Sequence, residues 1–552
     1  MAGEQEAGVF DYVIVGSGAA GSVVANRLSE DPGVTVCVLE AGPPDYHPYI
    51  HIPAGFIKML FNPGFTWQFK TEPGEYTGGR AIPTTQGRTL GGTSSINGMI
   101  YNRGQRADFD NWAQRGNRGW GYADVLPYFK RSERRIGAAD ERLHGRDGNL
   151  FVTDIDWQHP LCEAFIEGAT QLGIPRNPDY NGLSQEGVGY FQRVIHRGRR
   201  RSAARVFLAP AKARGNVEVR TNARAVAILF EGNRATGVRY AHDKDRATRR
   251  TVRARREIIV SSGTANTAKL LQLSGIGPAA RLAEHGIPVV HDLPGVGENF
   301  RDHYAVRLVA RVKNITTINE LARGARLGGE IAKWVAGRPS ILALSPSLVH
   351  VFWKSDENLS APDPQGVFAP ASYKEGFVGM LDEFPGMTCG IWQHRPDSAG
   401  FVRLRSADPF EDPVIQPNYL THPNDRRVFL GGVRLARKLL DTPALAPWFD
   451  GEVLPGPQAQ SDDELLEFAK RYGSTCYHLV GTARMGPASD PSAVVDDQLR
   501  VHGIAALRVA DASIMPNMPS ANTYASTLMI GEKASDMIRN RSPLPAAEDL
   551  AA

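Results

Sequence analysis

The chain has 552 residues, of which 42% are hydrophobic and 22% are charged, and its formal net charge is +4. These values are typical of a globular protein with a large core, and they favour neither a nucleic-acid partner nor a polybasic membrane anchor. No run approaches the roughly 18 consecutive apolar residues of a transmembrane segment, and the N-terminus lacks the basic and apolar stretches of a secretory signal, so we expect a cytoplasmic protein.

The first predicted element is an apolar strand at residues 10–15 that runs directly into a glycine-rich turn at residues 16–21, with the sequence GSGAAG. In such a turn Gly16 permits the tight bend, Gly18 lets the main chain approach a pyrophosphate, and Gly21 lets the following helix pack closely on the strand. The phosphates of a dinucleotide are expected at the N-terminus of that helix, where unpaired N–H groups favour negative charge.

A second apolar strand, at residues 34–39, ends in Glu40, about 20 residues after the glycines. A carboxylate at this position is expected to bind a ribose diol. It disfavours NADP and leaves both NAD and FAD open.

The region that follows has little regular period. Residues 41–80 are rich in Pro, Gly and aromatic residues, so we predict an ordered loop there that could act as a lid. A charged helical region at 108–134 and a mixed region at 150–208 come next.

Short strands are predicted again from residue 217 onward, at 217–219, 225–230, 237–240 and 256–261. The second and third are joined by a turn and indicate a hairpin. The last ends in small residues before a helix at 265–273, which repeats the strand–turn–helix pattern far from the first, so the dinucleotide domain is predicted to be discontinuous.

The C-terminal half contains a different pattern. Residues 304–463 include strand-like segments at 347–352 and 400–404, which indicate an antiparallel sheet in a second domain. The chain then closes with a strand at 507–511, which ends in an acidic residue, and a helix at 526–538.

Two arginine clusters, at 197–205 and 246–256, are interpreted as solvated faces or as salt bridges between domains, because they lack the interleaved aromatic residues of single-strand binding. The cysteines lack the spacing of a disulfide framework or metal site, so no metal is expected. They are Cys37, Cys162, Cys389 and Cys476.

Residues 87–99 (GRTLGGTSSINGM) closely resemble the first signature of the glucose-methanol-choline (GMC) flavin oxidoreductases. Residues 263–277 resemble the second signature, although Ala268 occupies a place that is usually proline or serine. Three blocks near the C-terminus complete the family order, and the resemblance extends from residue 10 to about residue 539. These blocks are 477–486, 509–516 and 522–523.

The resemblance implies an α/β protein with two domains. A discontinuous Rossmann-like FAD-binding domain is expected at residues 8–155, 216–300 and 484–545. An α+β substrate-binding domain with an antiparallel sheet is expected at residues 156–215 and 301–483.

The cofactor that the resemblance implies is non-covalent FAD, because Ile96 occupies the place at which some members carry a flavin-linked histidine. The residues expected to contact FAD are Gly16, Gly18, Ala19, Ala20, Gly21, Glu40, Ala41, Arg88, Gly92, Asn97, Gly98, Met99, Val226, Gly263, Asp511, Ala512, Asn522 and Thr523.

His478 and Asn522 are the expected catalytic pair. Alcohol oxidation needs a base for the hydroxyl proton, and an imidazole titrates near neutrality. His478, in the C-terminal signature, is expected to remove that proton while hydride passes from the α-carbon to flavin N5, and Asn522 is expected to donate a hydrogen bond to the alkoxide.

The expected substrate is a small-molecule primary alcohol, aryl or furanic if Tyr477, Phe352, Trp353 and Trp392 form an aromatic pocket. Choline is not favoured, because no acidic or aromatic cage for a quaternary ammonium is recognisable. The acceptor is O2 or a quinone or other electron carrier. An FAD-containing hydroxynitrile lyase-like enzyme and an NAD-dependent dehydrogenase are the alternative functions.

Overall fold

A computed structural model describes residues 5–374 and 380–548. We number its strands and α-helices in chain order. The strands are β1 (Gln5–Val15), β2 (Val36–Leu39), β3 (Thr66–Trp67), β4 (Gln86–Gly87), β5 (Glu133–Arg135), β6 (Leu150–Val152), β7 (Gly187–Tyr190), β8 (Ile195–His196), β9 (Arg199–Arg200), β10 (Val217–Arg220), β11 (Arg224–Glu231), β12 (Arg234–His242), β13 (Asp245–Val260), β14 (Ile276–Gly277), β15 (His291–Asp292), β16 (Tyr304–Val312), β17 (Val349–Phe352), β18 (Pro364–Ala369), β19 (Gly386–Gln393), β20 (Phe401–Arg403), β21 (Val414–Gln416), β22 (Phe449–Leu454), β23 (Ser474–Thr475) and β24 (Leu507–Val509). The helices are α1 (Ala19–Leu28), α2 (Pro48–His51), α3 (Phe56–Leu60), α4 (Arg106–Gln114), α5 (Tyr122–Ser132), α6 (Pro160–Gln171), α7 (Ala209–Ala213), α8 (Thr264–Leu273), α9 (Ala279–Glu284), α10 (Ile318–Leu321), α11 (Gly324–Val335), α12 (Pro423–Leu440), α13 (Asp462–Tyr472) and α14 (Tyr524–Ile538).

The first sheet has the order β10-β2-β1-β13-β12-β11, and β24 lies beside the end of β13. Strands β10, β2, β1, β13 and β24 are parallel to one another, whereas β11, β12 and β13 form an antiparallel meander. The C-terminal half of β1 is an unbroken buried run, as expected for a parallel strand that is covered on both faces. Helix α14 packs on α1, and Gly531 permits this contact because a Cβ there would lie 2.9 Å from the Ala20 Cα.

Strand β13 takes part in both patterns. Its first half pairs with β12 in the meander, and its last residues lie between β1 and β24, where Ile258 is opposite both Val13 and Leu507. The sequence predicted only its last part, 256–261, because the first half is rich in Arg and Thr. The second arginine cluster therefore belongs to this strand.

The second sheet is antiparallel, with the order β22-β16-β19-β18-β17-β7, and β23 pairs with β16. One face packs against α6 and α12, where Phe165 stacks on Phe368 with ring centroids 4.3 Å apart. The middle of the opposite face is turned toward the first sheet and lines the cavity described below.

Two predicted regions differ in detail from the structure. The 41–80 loop contains the short helices α2 and α3. The helical region at 108–134 is two helices, α4 and α5, because the chain turns between them at Gly116 and Gly119, which both have positive φ.

The four cysteines, within the part of the chain that the structure describes, are free thiols. In residues 5–374 and 380–548 no helix is both long and apolar enough to cross a membrane.

Candidate active site

A cavity of about 360 Å³ lies between the two sheets, and it extends from the carboxyl ends of β1 and β2 to the inner face of β16, β18 and β19. Ligands of open α/β sheets bind at such strand ends. The expected cofactor, catalytic and substrate residues that line this cavity are Gly16, Gly18, Ala19, Ala20, Glu40, Ala41, Gly92, Asn97, Gly98, Met99, Gly263, Asp511, Ala512, Asn522, Thr523, His478, Tyr477 and Trp392.

The absence of a side chain serves a different purpose at each glycine of the 16–21 turn. Gly16 has a φ of +100°, and a Cβ there would lie 2.3 Å from the Ser261 carbonyl oxygen. A Cβ on Gly21 would lie 2.0 Å from the Gly16 carbonyl oxygen, so Gly21 serves helix packing and does not line the cavity. At Gly18 a Cβ would meet, among the described atoms, only the Ser261 oxygen at 4.0 Å. The fold itself does not demand a glycine there, and the open space above it suits a closely approaching ligand.

The turn also presents an uncapped helix end and a carboxylate to the cavity. Helix α1 starts directly after Gly18, which has no side chain to cap its first N–H groups, so they are available to a phosphate. Glu40 accepts hydrogen bonds from the Ser17 N–H at 3.1 Å and from the Gly42 N–H at 2.8 Å, and burial raises its pKa. Each carboxylate oxygen has two lone pairs, so Glu40 can hold the turn and still accept from a ribose hydroxyl.

The second strand–turn–helix segment is attached to the C-terminal strand by Asp511. One oxygen of Asp511 accepts from the Gly263 N–H at 2.9 Å and from the Thr267 hydroxyl at 2.6 Å, and the other accepts from the Ser513 N–H at 2.8 Å. Gly263 has a φ of +80°. Asp511 therefore fixes the backbone of two cavity-lining turns.

The 92–99 segment closes the cavity from a third side. A Cβ on Gly92, which has positive φ, would lie 2.8 Å from the Gly18 Cα, so the two turns are in direct contact. Asn97 Oδ1 accepts from the Met99 N–H at 3.1 Å and from the Arg200 guanidinium at 2.8 Å. Arg200 is 2% exposed, so this member of the first arginine cluster is a buried brace for the segment and is not part of a solvated face.

His478 and Asn522 are in direct contact: the Asn522 Nδ2 lies 3.1 Å from the His478 Nε2. The other ring nitrogen of His478, Nδ1, lies 2.9 Å from the Nδ1 of His303. The Nε2 of His303 lies 2.6 Å from the His394 carbonyl oxygen.

These contacts determine which nitrogen carries each hydrogen. A carbonyl only accepts, so the His303 Nε2 is protonated. Burial lowers the pKa of His303 to about 4, so its ring is neutral near pH 7 and its Nδ1 carries a lone pair. His478 must then donate from Nδ1, and its Nε2 has a lone pair that accepts from Asn522. Burial, and to a smaller degree His303, hold the pKa of His478 well below its ordinary value, so the His478 ring is neutral near pH 7.

Asp302 supports the segment that carries His478. It accepts from the His478 N–H at 2.8 Å, from the Tyr419 hydroxyl at 2.6 Å and from the Thr475 hydroxyl at 2.5 Å. Burial raises the pKa of Asp302 to about 6 despite these bonds. Tyr477 lies between Thr475 and His478, which both donate to Asp302. Its φ of +64° is a strained conformation for a tyrosine and is typical of functional segments.

Besides Gly21, two of the expected FAD contacts lie outside the cavity lining. The Arg88 guanidinium forms an ion pair with Asp243 at 2.7 Å and lies over the Trp67 ring, so its side chain is engaged elsewhere. Val226 is buried, and its neighbour Ala225 lines the cavity in its place because successive residues of a strand face opposite sides.

Phe352 and Trp353 also lie outside the cavity, so the predicted aromatic pocket is smaller than expected. Phe352 is on the inner face of the second sheet, but on β17, beyond the strands that reach the cavity, and it packs with Tyr180 and Phe191. Trp353 packs in the core that α6 and α12 form on the other face. The core contacts of both side chains correct their assignment as substrate contacts.

The structure adds site residues that the sequence reasoning missed, chiefly His303, Arg307 and Tyr373. Arg307 and Tyr373 line the cavity, and His303 contacts His478. An available signal was the Asp302-His303 pair directly before a strand, in which residues 303, 305 and 307 share one face.

Comparison with known proteins gives a consistent result. The GMC oxidoreductase family models match residues 10–305 and 396–531. The chain is 41% identical over 541 residues to the oxygen-dependent choline dehydrogenase of Brucella anthropi, which covers 98% of this chain and 97% of that protein. It is 40% identical over 534 residues to the alcohol dehydrogenase (acceptor) of Pseudomonas putida, with 96% of each chain covered. A variant formate oxidase of Aspergillus oryzae, solved to study FAD modification, matches with a TM-score of 0.89 and 28% identity over 98% of this chain and 99% of that one.

Proposed function

Because this chain belongs to the GMC family of FAD-dependent oxidoreductases, which act on CH–OH groups, we propose that it oxidises a primary alcohol to the aldehyde with His478 as the base. The observation that carries the proposal is the contact between His478 and Asn522 inside the cavity that also contains the glycine turn. The fit of the cavity to FAD rests on the open space at Gly18 and the uncapped start of α1.

The chain's own residues supply proton transfer and orientation. When an alcohol is bound, its hydroxyl replaces Asn522 as the donor to the lone pair on the His478 Nε2, which accepts the hydroxyl proton. The Asn522 Nδ2–H then donates to the alcohol oxygen and stabilises the developing alkoxide. FAD, when bound, supplies the acceptor for the hydrogen and two electrons that leave the carbinol carbon as the C=O bond forms. Asp302 accepts from the main-chain N–H of His478 and His303 accepts from its Nδ1, so the two residues hold the proposed base in position.

The remaining aromatic residues favour an aryl or furanic substrate. Tyr477 and Trp392 line the cavity, and the Trp392 and His478 rings have centroids 6.4 Å apart. Ile96 lines the same cavity and offers no nucleophile, in line with non-covalent FAD. The acceptor, O2 or a quinone or other carrier, and the cytoplasmic location stay predictions.

The test is the variant His478→Ala, with His285→Ala, a histidine outside the cavity lining, as the matched control. We expect His478→Ala to keep its FAD absorbance and to slow anaerobic flavin reduction by a primary aryl alcohol about 10²–10⁴-fold, the usual contribution of a general base. An unchanged reduction rate would remove His478 from the mechanism.

The alternative functions give different results in the same holoenzyme. A hydroxynitrile lyase-like enzyme leaves the flavin oxidised when an alcohol is added and releases an aldehyde from a cyanohydrin. An NAD-dependent dehydrogenase is colourless after purification and is stabilised by NAD. Either result would replace the FAD-dependent oxidation of an alcohol.

A further inference from the structure

Arg307 projects from the second sheet into the cavity. Along β16, Val306 and Leu308 point into the core with α6 and α12, whereas Ala305 and Arg307 line the cavity. Arg307 is directly opposite Gly390 of β19, and a Cβ on Gly390 would lie 3.7 Å from the Arg307 Cγ. The arginine stem thus passes over a strand position that has no side chain.

The guanidinium of Arg307 has no counter-charge among the described residues. Within 5–374 and 380–548, no carboxylate lies within 4.0 Å of it, and no hydrogen bond from it is formed. The other long cations of the lining are satisfied: Arg224 pairs with Asp243 at 2.8 Å, and Lys269 donates to the Pro409 carbonyl at 2.8 Å. Arg307 is only partly buried, and a bound anion would supply the counter-charge that the described residues do not.

The described side chains around Arg307 do not neutralise its charge. Burial raises the pKa of Tyr373 and of Tyr477 to about 12, although the Arg307 charge opposes both rises, so both phenols are neutral near pH 7. The Tyr373 hydroxyl donates to the Pro346 carbonyl at 2.9 Å. The carboxylates in the cavity lining, Glu40 and Asp511, belong to the turns of the first sheet.

Resting on the alcohol oxidation proposed above, we propose that the substrate is an alcohol that carries an anionic group, a carboxylate or a phosphate, and that Arg307 binds this group. A planar guanidinium binds either anion through two parallel hydrogen bonds. The same charge repels a quaternary ammonium.

The distance along β16 indicates how the two groups of the substrate are separated. His303, which holds His478, lies just before β16 and four residues from Arg307, about 13 Å at the rise of a strand. Because the side chains of His478 and Arg307 both extend into the cavity, the groups that they bind are closer together than this. We therefore expect the carbinol and the anion of the substrate at opposite ends of a ring or a short chain. The aromatic side chains Tyr373, Tyr477 and Trp392 line the same cavity as Arg307.

The experiment compares para-substituted benzyl alcohols on the holoenzyme, and the carboxylate and the amide among them are of equal size. The probes are 4-(hydroxymethyl)benzoate, 4-(hydroxymethyl)phenyl phosphate and the neutral 4-(hydroxymethyl)benzamide, with choline as the cationic alcohol. Anaerobic flavin reduction gives an apparent Kd and a limiting rate for each. Binding of 4-methylbenzoate, which has no carbinol, is followed by the change in flavin absorbance.

The variants are Arg307→Gln, Arg307→Lys and, as the matched control, Arg311→Gln. Arg311 is an exposed arginine on the same strand that lies over the Phe384 ring. We expect the wild type to prefer one of the anions over the benzamide. Arg307→Gln should weaken that preference about 10–100-fold through Kd, as the loss of a charge-assisted hydrogen bond would. Arg307→Lys should restore part of it, and Arg311→Gln should behave as the wild type.

Three results would overturn the proposal. The first is that choline or the benzamide reduces the flavin with the same Kd and limiting rate as both anions. The second is a Kd for 4-methylbenzoate that does not change in Arg307→Gln. The third is an equal loss of limiting rate for all alcohols together with an altered flavin spectrum, which would assign the arginine to the flavin. If no alcohol of any charge reduces the flavin, the function proposed above fails, and 4-methylbenzoate binding still decides whether Arg307 binds an anion.

Discussion

The lone pair of His303 fixes the tautomer of His478, and this predicts opposite effects for two substitutions of His303. The amide oxygen of His303→Asn can occupy the place of the histidine Nδ1 and keep accepting from His478, but it loses the bond to the His394 carbonyl. The longer His303→Gln can keep the donor to that carbonyl and lose the acceptor for His478. Each variant therefore retains one of the two contacts seen at 2.9 Å and 2.6 Å.

The expected magnitude follows from one hydrogen bond. If the His303 acceptor favours the reactive tautomer of His478 by about 1.4 kcal/mol, in the range of a single buried hydrogen bond, its loss lowers the ratio of the reactive to the unreactive tautomer about tenfold, and the rate falls by up to that factor. We expect His303→Gln to show this loss in the limiting rate of flavin reduction, with an unchanged apparent Kd for the alcohol. His303→Asn should stay within about twofold of the wild-type rate and should be the less stable variant, because the His394 carbonyl loses its donor.

The assay is anaerobic stopped-flow reduction of the FAD-loaded enzyme at saturating alcohol, combined with thermal unfolding of each variant. Equal rate losses in the two variants would refute the tautomer assignment, because they would show that His303 acts only through the packing of its ring. A larger loss in His303→Asn than in His303→Gln would refute it as well.

Further predictions concern the cofactor turn and the buried histidines. Gly18→Ala should fold normally and bind FAD at least about tenfold more weakly, and an FAD titration that matches the wild type would contradict this. Gly21→Ala should lower the unfolding temperature, because its Cβ would lie 2.0 Å from the Gly16 carbonyl oxygen. A melting temperature of Gly21→Ala equal to that of the wild type would contradict this second expectation. Burial lowers the pKa of His350 to about 3 from 6.5, so in the unfolded state it binds a proton that it does not bind in the folded state, and the free energy of unfolding falls as pH drops below about 6.5. The contribution amounts to about 2 kcal/mol at pH 5. His350→Leu should show a smaller loss of melting temperature between pH 7 and pH 5 than the wild type, and an identical loss would show that folding does not lower the pKa of His350.

The sequence was most informative where local backbone chemistry controls the outcome. The turn at 16–21, the strand ending in Glu40 and the hairpin around residues 231–234 were predictable because glycine spacing and short-range apolar patterns specify such units without long-range contacts. The GMC family and its FAD cofactor were also predictable, since the motifs that carry them are contiguous.

Other parts depended on neighbours that are distant in the chain. Phe352 and Trp392 are both aromatic residues of the second sheet, yet only Trp392 reaches the cavity, because β19 lies in the middle of that sheet and β17 lies nearer its edge. The first half of β13 escaped prediction because its arginines and threonines form a strand only when β1 and β12 flank it.

By itself the sequence determined the dinucleotide turn, the order of the family motifs and the choice of His478 and Asn522, because each is encoded in a short run of adjacent residues. Only the tertiary structure decided which nitrogen of His478 carries the lone pair and that Arg307 faces the same cavity. The positions of His303, the His394 carbonyl and the strands β16 and β19 relative to one another result from packing between segments far apart in the chain, and no local pattern of residues records that packing.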